Sequence, residues 1–504
     1  MQPATNMRLN RTALSSLDES IAVPQYDVSR VEAGIVHVGV GGFHRAHEAM
    51  YVDAYMNVTG DTSWGICGVG LREADRHMQS LLKEQDYLYT LVEKHANGER
   101  KARVIGALTD FLIAGDSPMA IIDKMASEAI KIVSLTITEG GYNFDPTTGE
   151  FISQNPDVQH DLANPESPKL VFGYLTAALK KRKKMGLAPF TVMSCDNIQH
   201  NGDVLKAMLL SYIRLADDDF AHWVEQNVSF PNSMVDRITP ATTDEDKAAL
   251  VESGIEDNWP VVCEPFDQWI IADKFCNERP AFEDVGAQFV DNVAPYEKLK
   301  LRMLNAGHSV LGLTGSLADL DTIHESVAQT ELRSLLATFM VDEVMPTLDP
   351  VAGIDVHDYK NILLARFANP YIKDSLSRIC LESSAKIPVF LLPTIRENLA
   401  NGGKVDISAL ILAAWSFYSD KRTSQKGTPL VIQDQLADEL HNAASRYQDD
   451  ALSFLKVNSV FGDLSDEAGF TPVYQDYLSR IYSGESILEI AKSLISAPSE
   501  PALV

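Results

Sequence analysis

The chain has 504 residues, 45% of them hydrophobic, and a formal net charge of −27 from 43 basic and 70 acidic side chains. This length exceeds what one hydrophobic core usually supports, so we expect two domains. The strong negative charge disfavours nonspecific binding to nucleic acid or to anionic lipid, and small molecules are the expected partners.

Cysteine usage and hydropathy narrow the class of protein further. The five cysteines are scattered without a CxxC pair, which disfavours both a disulfide framework and a zinc–thiolate site. No stretch reaches the ~20 apolar residues of a membrane span, and the first thirty residues lack an apolar signal core. We therefore expect a cytoplasmic protein that holds no metal.

The first informative segment is a glycine-rich turn between a predicted strand and a predicted helix. Residues 34–38 form a mostly apolar run, Gly39-Val40-Gly41-Gly42 follows, and a helical pattern continues through Tyr55. This order is typical of a dinucleotide site, where backbone N–H groups approach a pyrophosphate. His44 replaces the third glycine of the usual pattern, so a simple tight turn is the alternative. The predicted cofactor-binding residues of this segment are Ile35, Val36, His37, Val38, Gly39, Val40, Gly41, Gly42, Phe43, His44, Arg45 and Ala46.

Acidic and basic side chains follow the second predicted strand, residues 64–69. Glu73 and Asp75 stand where a carboxylate would hold the adenosine ribose hydroxyls of NAD. Arg72 and Arg76 could instead accept the extra phosphate of NADP, and carboxylates that begin a surface helix are a third interpretation. The interval from the glycine turn is longer than the usual ~20 residues. We favour NAD and assign Glu73 and Asp75 to its binding.

Strand-like and helical patterns alternate up to about residue 285 and then give way to helices. Further strand-like runs are 132–137, 190–195 and 261–263, and residues 204–215 form an amphipathic helix. From about Tyr296 onward helical periodicity dominates, in residues 332–345, 387–399, 407–418, 436–447 and 487–494. The predicted fold class is α/β, with a parallel sheet wrapped by helices in residues 1–285 and a mainly α-helical domain in residues 286–504.

Three polar residues interrupt an apolar helical stretch at the start of the second domain. On an α-helix, the angle around the helix axis measured from Lys300 is about 80° for His308 and about 140° for Asn305, so all three lie within one half of the circumference. A lysine, an amide and an imidazole that face one cavity could supply a base, an oxyanion donor and a hydroxyl ligand for oxidising an alcohol. The alternative is a core helix in which Lys300 snorkels and the other two polar groups are satisfied internally.

Together these segments resemble the polyol-specific long-chain dehydrogenase/reductase family. The resemblance rests on the glycine turn and five further motifs in the same order: Thr138-Glu139-Gly140-Gly141-Tyr142, Cys195-Asp196-Asn197, residues 235–240, residues 264–269, and Lys300-x4-Asn305-x2-His308. It implies a Rossmann-type N-terminal domain. It also implies a monomeric, metal-independent enzyme that interconverts D-mannitol and D-fructose with NAD.

The resemblance also implies roles for individual residues. Lys300 would take the C2 hydroxyl proton, for which the site must lower an amine pKa that is ordinarily ~10.4. Asn197 and Asn305 would donate hydrogen bonds to the developing alkoxide. Glu297, one turn before Lys300, could pass the proton to water or could be an ordinary helix-start carboxylate. The implied substrate ligands are Asp236, His308, Arg378 and Lys386.

Alternatives of two kinds stay open. A dehydrogenase for arabinitol or a reductase for fructuronate would share the fold and the base, and Arg378 could clamp a carboxylate or form a structural ion pair. A nucleotide-sensing protein would bind NAD without turnover. A zinc-dependent polyol dehydrogenase is rejected because no Cys, His and carboxylate cluster and no HExxH is evident. The Tyr296-x3-Lys300 pair resembles that of short-chain dehydrogenases, but it lies after the sheet-forming half and is rejected too.

Overall fold

The computed structural model describes residues 7–145 and 148–496. The chain divides into two compact units, Met1–Ala294 and Pro295–Val504. Among the described residues, none of the helices combines the length and the apolar character that crossing a bilayer requires.

Within its described residues, the N-terminal unit contains thirteen strands and nine α-helices. The strands are β1 Met7–Arg8, β2 Ala33–Val38, β3 Gly65–Gly70, β4 Tyr89–Lys94, β5 Arg100–Ile105, β6 Leu108–Ile113, β7 Ile132–Leu135, β8 Thr191–Ser194, β9 Ser233–Asp236, β10 Ile255–Glu256, β11 Val261–Cys263, β12 Gln268–Ala272 and β13 Gln288–Val290. The helices are α1 Gly42–Ala46, α2 Glu48–Thr59, α3 Asp75–Glu84, α4 Pro118–Ala126, α5 Pro156–Ala163, α6 Val171–Met185, α7 Asn201–Arg214, α8 Asp218–Asn227 and α9 Asp244–Glu252.

The main sheet has five parallel strands in the order β6-β3-β2-β7-β8. Strand β2 lies at its centre, where Val36 is in register with Cys67 of β3 on one side and Val133 of β7 on the other. The chain builds the sheet outward through β3 and β6 and then returns to add β7 and β8. The strand order therefore reverses between β2 and β7, and ligands of open α/β sheets bind at such a switch point. The predicted α/β fold is confirmed.

Both faces of the main sheet are buried, which explains the nearly continuous apolar runs of its strands. Successive residues of β2 point to opposite faces, so Ile35 packs into one core cluster and Val36 and Val38 into another. The first cluster includes Trp269 and the second includes Phe172. Each of these aliphatic side chains contributes roughly 1.5–3 kcal/mol by its burial. The central strand is thereby fixed in register, and the glycine turn follows directly from it.

Two smaller three-stranded sheets, β11-β4-β5 and β13-β12-β9, accompany the main sheet. Each contains one antiparallel pair, β4 with β5 and β12 with β9. The sequence pattern does not reveal these sheets, because their apolar strands resemble those of the main sheet and β5 begins with the exposed basic residues Arg100 and Lys101. A single parallel sheet is therefore an incomplete prediction for this unit.

The C-terminal unit is helical, and in the part that the structure describes it contains no strand longer than an isolated bridge. Its helices are α10 Ala294–Lys300, α11 Ala306–Leu317, α12 Ile323–Ala328, α13 Thr330–Thr338, α14 Val356–Phe367, α15 Leu376–Ile379, α16 Ser383–Phe390, α17 Leu392–Asn401, α18 Asp406–Lys421, α19 Ala437–Ala444, α20 Asn458–Phe461, α21 Thr471–Tyr482 and α22 Ile487–Ser496. Two π-helical turns are Leu301–Asn305, between α10 and α11, and Phe339–Val344, after α13.

Helix α18 forms the centre of this unit. Its residues from Ile407 to Ser416 are all buried, including Leu410, Ile411 and Leu412 at 0% exposure. A helix that is apolar on every side is stable only when other helices surround it. The predicted helix over 407–418 is confirmed and extends to Lys421.

The predicted helix over residues 387–399 is two helices. Helix α16 ends at Phe390, and α17 begins at Leu392 with Pro393 in its first turn. Proline is favourable in a first turn but removes a hydrogen bond in a helix interior, so the chain begins a new helix there. The pattern of apolar residues continues across the break and does not reveal it.

Candidate active site

The glycine turn after β2 requires glycine at its first position. Gly39 has φ 95°, and its N–H donates to the Val69 carbonyl oxygen at 2.9 Å. A Cβ atom on Gly39 would lie 2.1 Å from the carbonyl oxygen of Thr136 in the next strand of the sheet. A Cβ atom on Gly41 would meet nothing closer than 3.9 Å. The close packing of backbones at the switch point thus depends on Gly39.

A cavity of about 210 Å³ opens beside this turn. Its lining includes Gly39, Asp75 and Thr138, which come from three successive strand ends. Asp75 begins α3, and its Oδ2 accepts the N–H of Arg72 at 3.1 Å. Glu73 lies outside the lining, is three-quarters exposed and pairs with Arg76 at 2.6 Å. Asp75 is therefore the predicted carboxylate that faces the cavity.

The other predicted cofactor residues fall into two groups. Val38 lines the cavity together with Gly39. Arg45 points away into the protein, where its Nη1 donates to the Trp259 carbonyl oxygen at 2.6 Å and its guanidinium lies over the Tyr89 ring. The buried members are Ile35, Val36, His37, Val40, His44, Arg45 and Ala46, while Gly41, Gly42 and Phe43 are partly exposed. The buried residues shape the turn, and Gly39, Gly41, Gly42 and Phe43 are the members whose surface a ligand can reach.

A buried cluster of His37, His44 and Glu48 lies behind the turn. Glu48 Oε2 is 2.9 Å from Nδ1 of His37 and 3.3 Å from Nδ1 of His44, and it accepts the Ser134 hydroxyl at 3.0 Å. The two imidazole rings stack with centroids 3.5 Å apart and planes 15° apart. Burial lowers the pKa of His44 to about 3. Burial acts to raise the pKa of Glu48, but its interactions with His37 and His44 together outweigh burial and hold that pKa below its usual range.

This cluster was not evident from the sequence. One potential metal-ligand atom from each of the three side chains lies within 4.8 Å of the others, so the cluster has to be considered as a metal site. Stacked rings that are nearly parallel do not direct their nitrogen lone pairs at one point, as tetrahedral coordination requires. The arrangement therefore suits hydrogen bonding and proton sharing. The available signal was the i,i+4 spacing of His44 and Glu48 beside a histidine in the preceding strand.

Asn197 is exposed on the loop after β8, and the residue before it anchors that loop. The Asp196 carboxylate accepts the N–H groups of Ile137 and Thr138 at 3.0 and 2.8 Å and the Tyr142 hydroxyl at 2.7 Å. Thr138 has φ 61° and ψ 168°, a conformation that costs a β-branched residue of order 1–3 kcal/mol. Asp196 thus holds a strained segment in place beside the cavity and joins the ends of β7 and β8.

A second anchor fixes the start of β9, the strand that ends at Asp236. The Asn201 side-chain amide donates to the carbonyl oxygens of Ser194 and Ser233 at 3.2 and 2.8 Å and accepts the Ser233 N–H at 2.9 Å. Asp236 is 4% exposed and pairs with Gln268 across the antiparallel ladder. Neither Asp196 nor Asn201 was predicted as a site residue, although Asp196 belongs to the motif that contains Asn197 and Asn201 follows four residues later.

The α-helical angles expected for Lys300, Asn305 and His308 are wrong, because a π turn separates Lys300 from the other two. A π turn accommodates one extra residue in the helix, which rotates every later position back by about 100°. Asn305 then falls at about 40° and His308 at about −20° from Lys300. The three polar side chains share a narrower face than predicted, and short π turns are frequent at functional sites.

The surroundings of this polar face are mostly apolar. Lys300 is 7% exposed and Glu297, one turn earlier, is 4% exposed. The Asn305 Oδ1 atom is buried and has no hydrogen-bond partner among the described residues. The His308 ring packs on Phe367 with centroids 4.6 Å apart. A buried amide oxygen that lacks a partner calls for an explanation, and a ligand that completes the site is one.

Arg378 and Lys386 are positioned by contacts of their own. Arg378 donates from Nε and Nη2 to Asp374 Oδ1 at 2.9 and 2.6 Å, and its side chain is about half exposed at 48%. Lys386 Nζ donates to the Ile379 carbonyl oxygen at 3.2 Å. The structural ion pair considered for Arg378 is present, and it leaves the outer part of this side chain accessible.

Comparison with family models covers most of the chain. Residues 33–284 match the Rossmann domain of mannitol dehydrogenase, and residues 292–482 match the mannitol dehydrogenase C-terminal domain. Mannitol 2-dehydrogenase of Pyrenophora tritici-repentis is 46% identical over 466 residues, 92% of this chain and 81% of the relative. That of Aspergillus fumigatus is 45% identical over 468 residues, 91% of this chain and 93% of the relative.

Two solved structures are similar over nearly the whole chain. Mannitol 2-dehydrogenase of Pseudomonas fluorescens, solved as a ternary complex with NAD and D-mannitol, is 43% identical with a TM-score of 0.90 and covers 98% of this chain and 100% of that one. A D-sorbitol dehydrogenase in substrate-free form is 36% identical with a TM-score of 0.87 and covers 96% of this chain and 100% of that one.

Proposed function

The chain belongs to the mannitol dehydrogenase family, and on that basis we propose that it interconverts D-mannitol and D-fructose with NAD. The reaction is hydride transfer at C2 in a monomeric, metal-independent enzyme that uses a lysine as general acid and base. The observation that carries the proposal is the similarity over almost the entire chain to an enzyme solved with both NAD and D-mannitol.

The cavity beside Gly39 has the features that NAD binding requires. The backbone approaches closely at Gly39, as a pyrophosphate site needs, and a carboxylate lies at the next strand end in Asp75. In the proposal Asp75 accepts hydrogen bonds from the adenosine ribose hydroxyls. When it is bound, NAD takes up the hydride from C2 of the alcohol.

Lys300 is the proposed general base for mannitol oxidation and the general acid for fructose reduction. To accept the C2 hydroxyl proton the amine must be neutral, and its 7% exposure works in that direction because burial disfavours an ammonium ion. Glu297, buried one turn earlier on the same helix, is the proposed carrier of the proton toward water. A general acid or base of this kind contributes about 10²- to 10⁴-fold to the rate.

Amide groups stabilise the charge that develops on the C2 oxygen in this proposal. Asn197 and Asn305 donate hydrogen bonds to that oxygen, which supplies the electrostatic stabilisation that zinc supplies in other alcohol dehydrogenases. The mechanism therefore has no step that requires a metal. The remaining hydroxyl groups of the substrate are assigned to Asp236, His308, Arg378 and Lys386.

Assays of purified protein with mannitol, arabinitol, sorbitol and fructuronate test the assigned reaction. We expect the highest kcat/KM for mannitol in the oxidative direction and fructose-dependent oxidation of NADH in the other. A clear preference for fructuronate or arabinitol would overturn the substrate, though not the family. Binding of NADH without turnover of any of these compounds would instead indicate a nucleotide-sensing protein.

Asp75→Ala is expected to raise the KM for NADH about tenfold, the effect of losing a hydrogen bond to a charged group. It should also weaken discrimination against NADPH, because the carboxylate no longer repels the 2′-phosphate. The matched variant Glu73→Ala removes a carboxylate that is exposed and already paired with Arg76. The KM values of both variants for NADH and NADPH show which carboxylate binds the ribose. A larger effect of Glu73→Ala would show that Asp75 is not the ribose ligand.

A further inference from the structure

A row of hydrogen bonds connects the buried Glu48 to the backbone of the glycine turn. Glu48 Oε2 lies 2.9 Å from His37 Nδ1, and His37 Nε2 lies 2.8 Å from the Thr136 hydroxyl. That hydroxyl donates in turn to the carbonyl oxygen of Gly39 at 2.7 Å. His37 is 0% exposed and Glu48 is 1% exposed, so water does not compete for the contact between these two side chains.

The hydrogen-bonding capacities of these groups fix the direction of the row. A threonine hydroxyl has one proton, and Thr136 gives it to Gly39, so it must accept at its other side from His37 Nε2. On the other side of the ring, His37 Nδ1 lies 2.8 Å from the Ser134 hydroxyl and 2.9 Å from Glu48 Oε2, and the Ser134 hydroxyl donates to that carboxylate oxygen. The donor at Nε2 therefore points from the histidine toward the glycine turn, and the hydroxyl of Thr136 cannot move without breaking two hydrogen bonds.

Gly39 is the residue whose backbone most needs such a constraint. Its φ of 95° lies in a region that only glycine enters readily, and glycine also enters many other regions. The N–H of Gly39 is held by Val69, and the carbonyl oxygen is held by Thr136. In a trans peptide the N–H of the following residue points opposite to that carbonyl oxygen. The Thr136 hydroxyl therefore sets the direction of the Val40 N–H, the first amide of the glycine turn.

We propose that Thr136, supported by His37 and Glu48, is a positioning residue for the pyrophosphate of the dinucleotide. It holds the Gly39–Val40 peptide in one orientation before the cofactor arrives, so that binding does not have to order this peptide. This inference rests on the proposed function, because it takes the glycine turn as the pyrophosphate site. Thr136 acts through the backbone, so its loss changes cofactor affinity and leaves the chemical step unaltered.

Thr136→Val tests the role of the hydroxyl, because valine keeps the β-branched shape and removes only the hydrogen-bonding group. The dissociation constant of NADH is measured by fluorescence titration of the protein without substrate, and kcat is measured at saturating NADH. We expect the dissociation constant to rise about 5- to 50-fold, since two buried partners are left unsatisfied. We expect kcat to stay within about twofold. Thr136→Ser, which restores a hydroxyl, should recover most of the affinity.

Thr191→Val is the matched control. Thr191 is a buried threonine of β8 in the same sheet, and its hydroxyl contacts Cys276 instead of the glycine turn. This variant should bind NADH as the wild type does. Equal losses of affinity in Thr136→Val and Thr191→Val, or no recovery in Thr136→Ser, would reduce the role of Thr136 to general stability and overturn the inference.

Two further outcomes are separable. If the wild type does not bind NADH, the proposed function itself fails. If the wild type binds NADH and Thr136→Val binds it equally well, only the inference fails. Should Thr136→Val not fold, as judged by circular dichroism, Glu48→Gln removes the charge at the far end of the row at nearly constant volume. The inference then requires weaker NADH binding with kcat preserved, and unchanged binding overturns it.

Discussion

Lys300→Ala is expected to abolish turnover in both directions, with a fall in kcat of about 10³-fold or more, while NADH binding should stay nearly intact. The amine is the proposed carrier of the C2 proton, and no second lysine on the same narrow helix face is available to replace it. Steady-state rates of mannitol oxidation and fructose reduction measure the first effect. Fluorescence titration with NADH measures the second. Lost cofactor affinity with normal residual turnover would contradict the assignment.

The pH dependence of the wild type gives an independent readout of the same group. Mannitol oxidation requires the neutral amine and should rise as pH rises, whereas fructose reduction requires the ammonium form and should be faster at lower pH. Both dependences should vanish in the residual activity of Lys300→Ala. Flat profiles in both directions for the wild type would argue against a titrating base.

Lys298→Ala is the matched control for Lys300→Ala. Lys298 lies two residues earlier in α10, and its Nζ is 3.4 Å from Asp349 and 3.3 Å from Glu397. Its loss removes partly exposed ion pairs, each with a median contribution of about 0–1 kcal/mol. We expect turnover close to that of the wild type and a small decrease in the unfolding midpoint.

Gly39→Ala is expected to raise the dissociation constant of NADH by about 100-fold or more, because the methyl group forces apart two backbones at the turn. Its Cβ would lie 2.1 Å from the Thr136 carbonyl oxygen, and the backbone has φ 95°. Either β2 and β7 separate or the turn changes its path, and both outcomes displace the amides that are proposed to face the cofactor. NADH titration and thermal unfolding measure the two consequences.

Gly60→Ala separates the effect of the clash from that of the dihedral angle. Gly60 has φ 72° and ends α2, but a Cβ atom there would meet nothing within 4 Å. This variant should lose roughly 1 kcal/mol of stability and bind NADH normally. If both variants bound NADH equally well, close packing at Gly39 would not be a requirement of the cofactor site.

Much of the N-terminal architecture follows from local patterns. The apolar run of β2, the glycines after it and the helical pattern beyond them are all within about twenty residues, so the strand–turn–helix unit is readable directly. The antiparallel strands β5, β9 and β12 are not distinguishable in this way. Strand β9 pairs with β12 across a long stretch of intervening chain, and β5, although it follows β4 closely, begins with two basic residues and does not have an apolar pattern. The choice of Asp75 over Glu73 has the same origin: both follow β3, and only the folded chain shows which one faces the cavity.

The candidate site is readable from the sequence only in part, for a physical reason that differs between its halves. The polar residues of the proposed catalytic helix are spaced closely enough for a pattern to reveal them, but the pattern assumes an α-helix and misplaces Asn305 by about 100°. The network of His37, Glu48 and Thr136 joins two strands and a helix, and no spacing in the sequence brings these residues together. The Arg378–Asp374 ion pair, by contrast, can be predicted from the sequence, because the two residues are four apart and lie on the same side of a helical turn.

The π turn Leu301–Asn305 ties the type of helix to the length of this interval. In a related chain with one residue fewer between the lysine and the asparagine, an ordinary α-helix would place the amide and the imidazole at nearly the same angles from the lysine, because the deletion removes the residue that the π turn accommodates. A chain that kept all four residues but formed an ordinary α-helix would turn both groups about 100° from that arrangement. When this chemistry is sought in other genomes, an interval of four residues with a π turn and an interval of three residues with an α-helix are therefore equivalent matches.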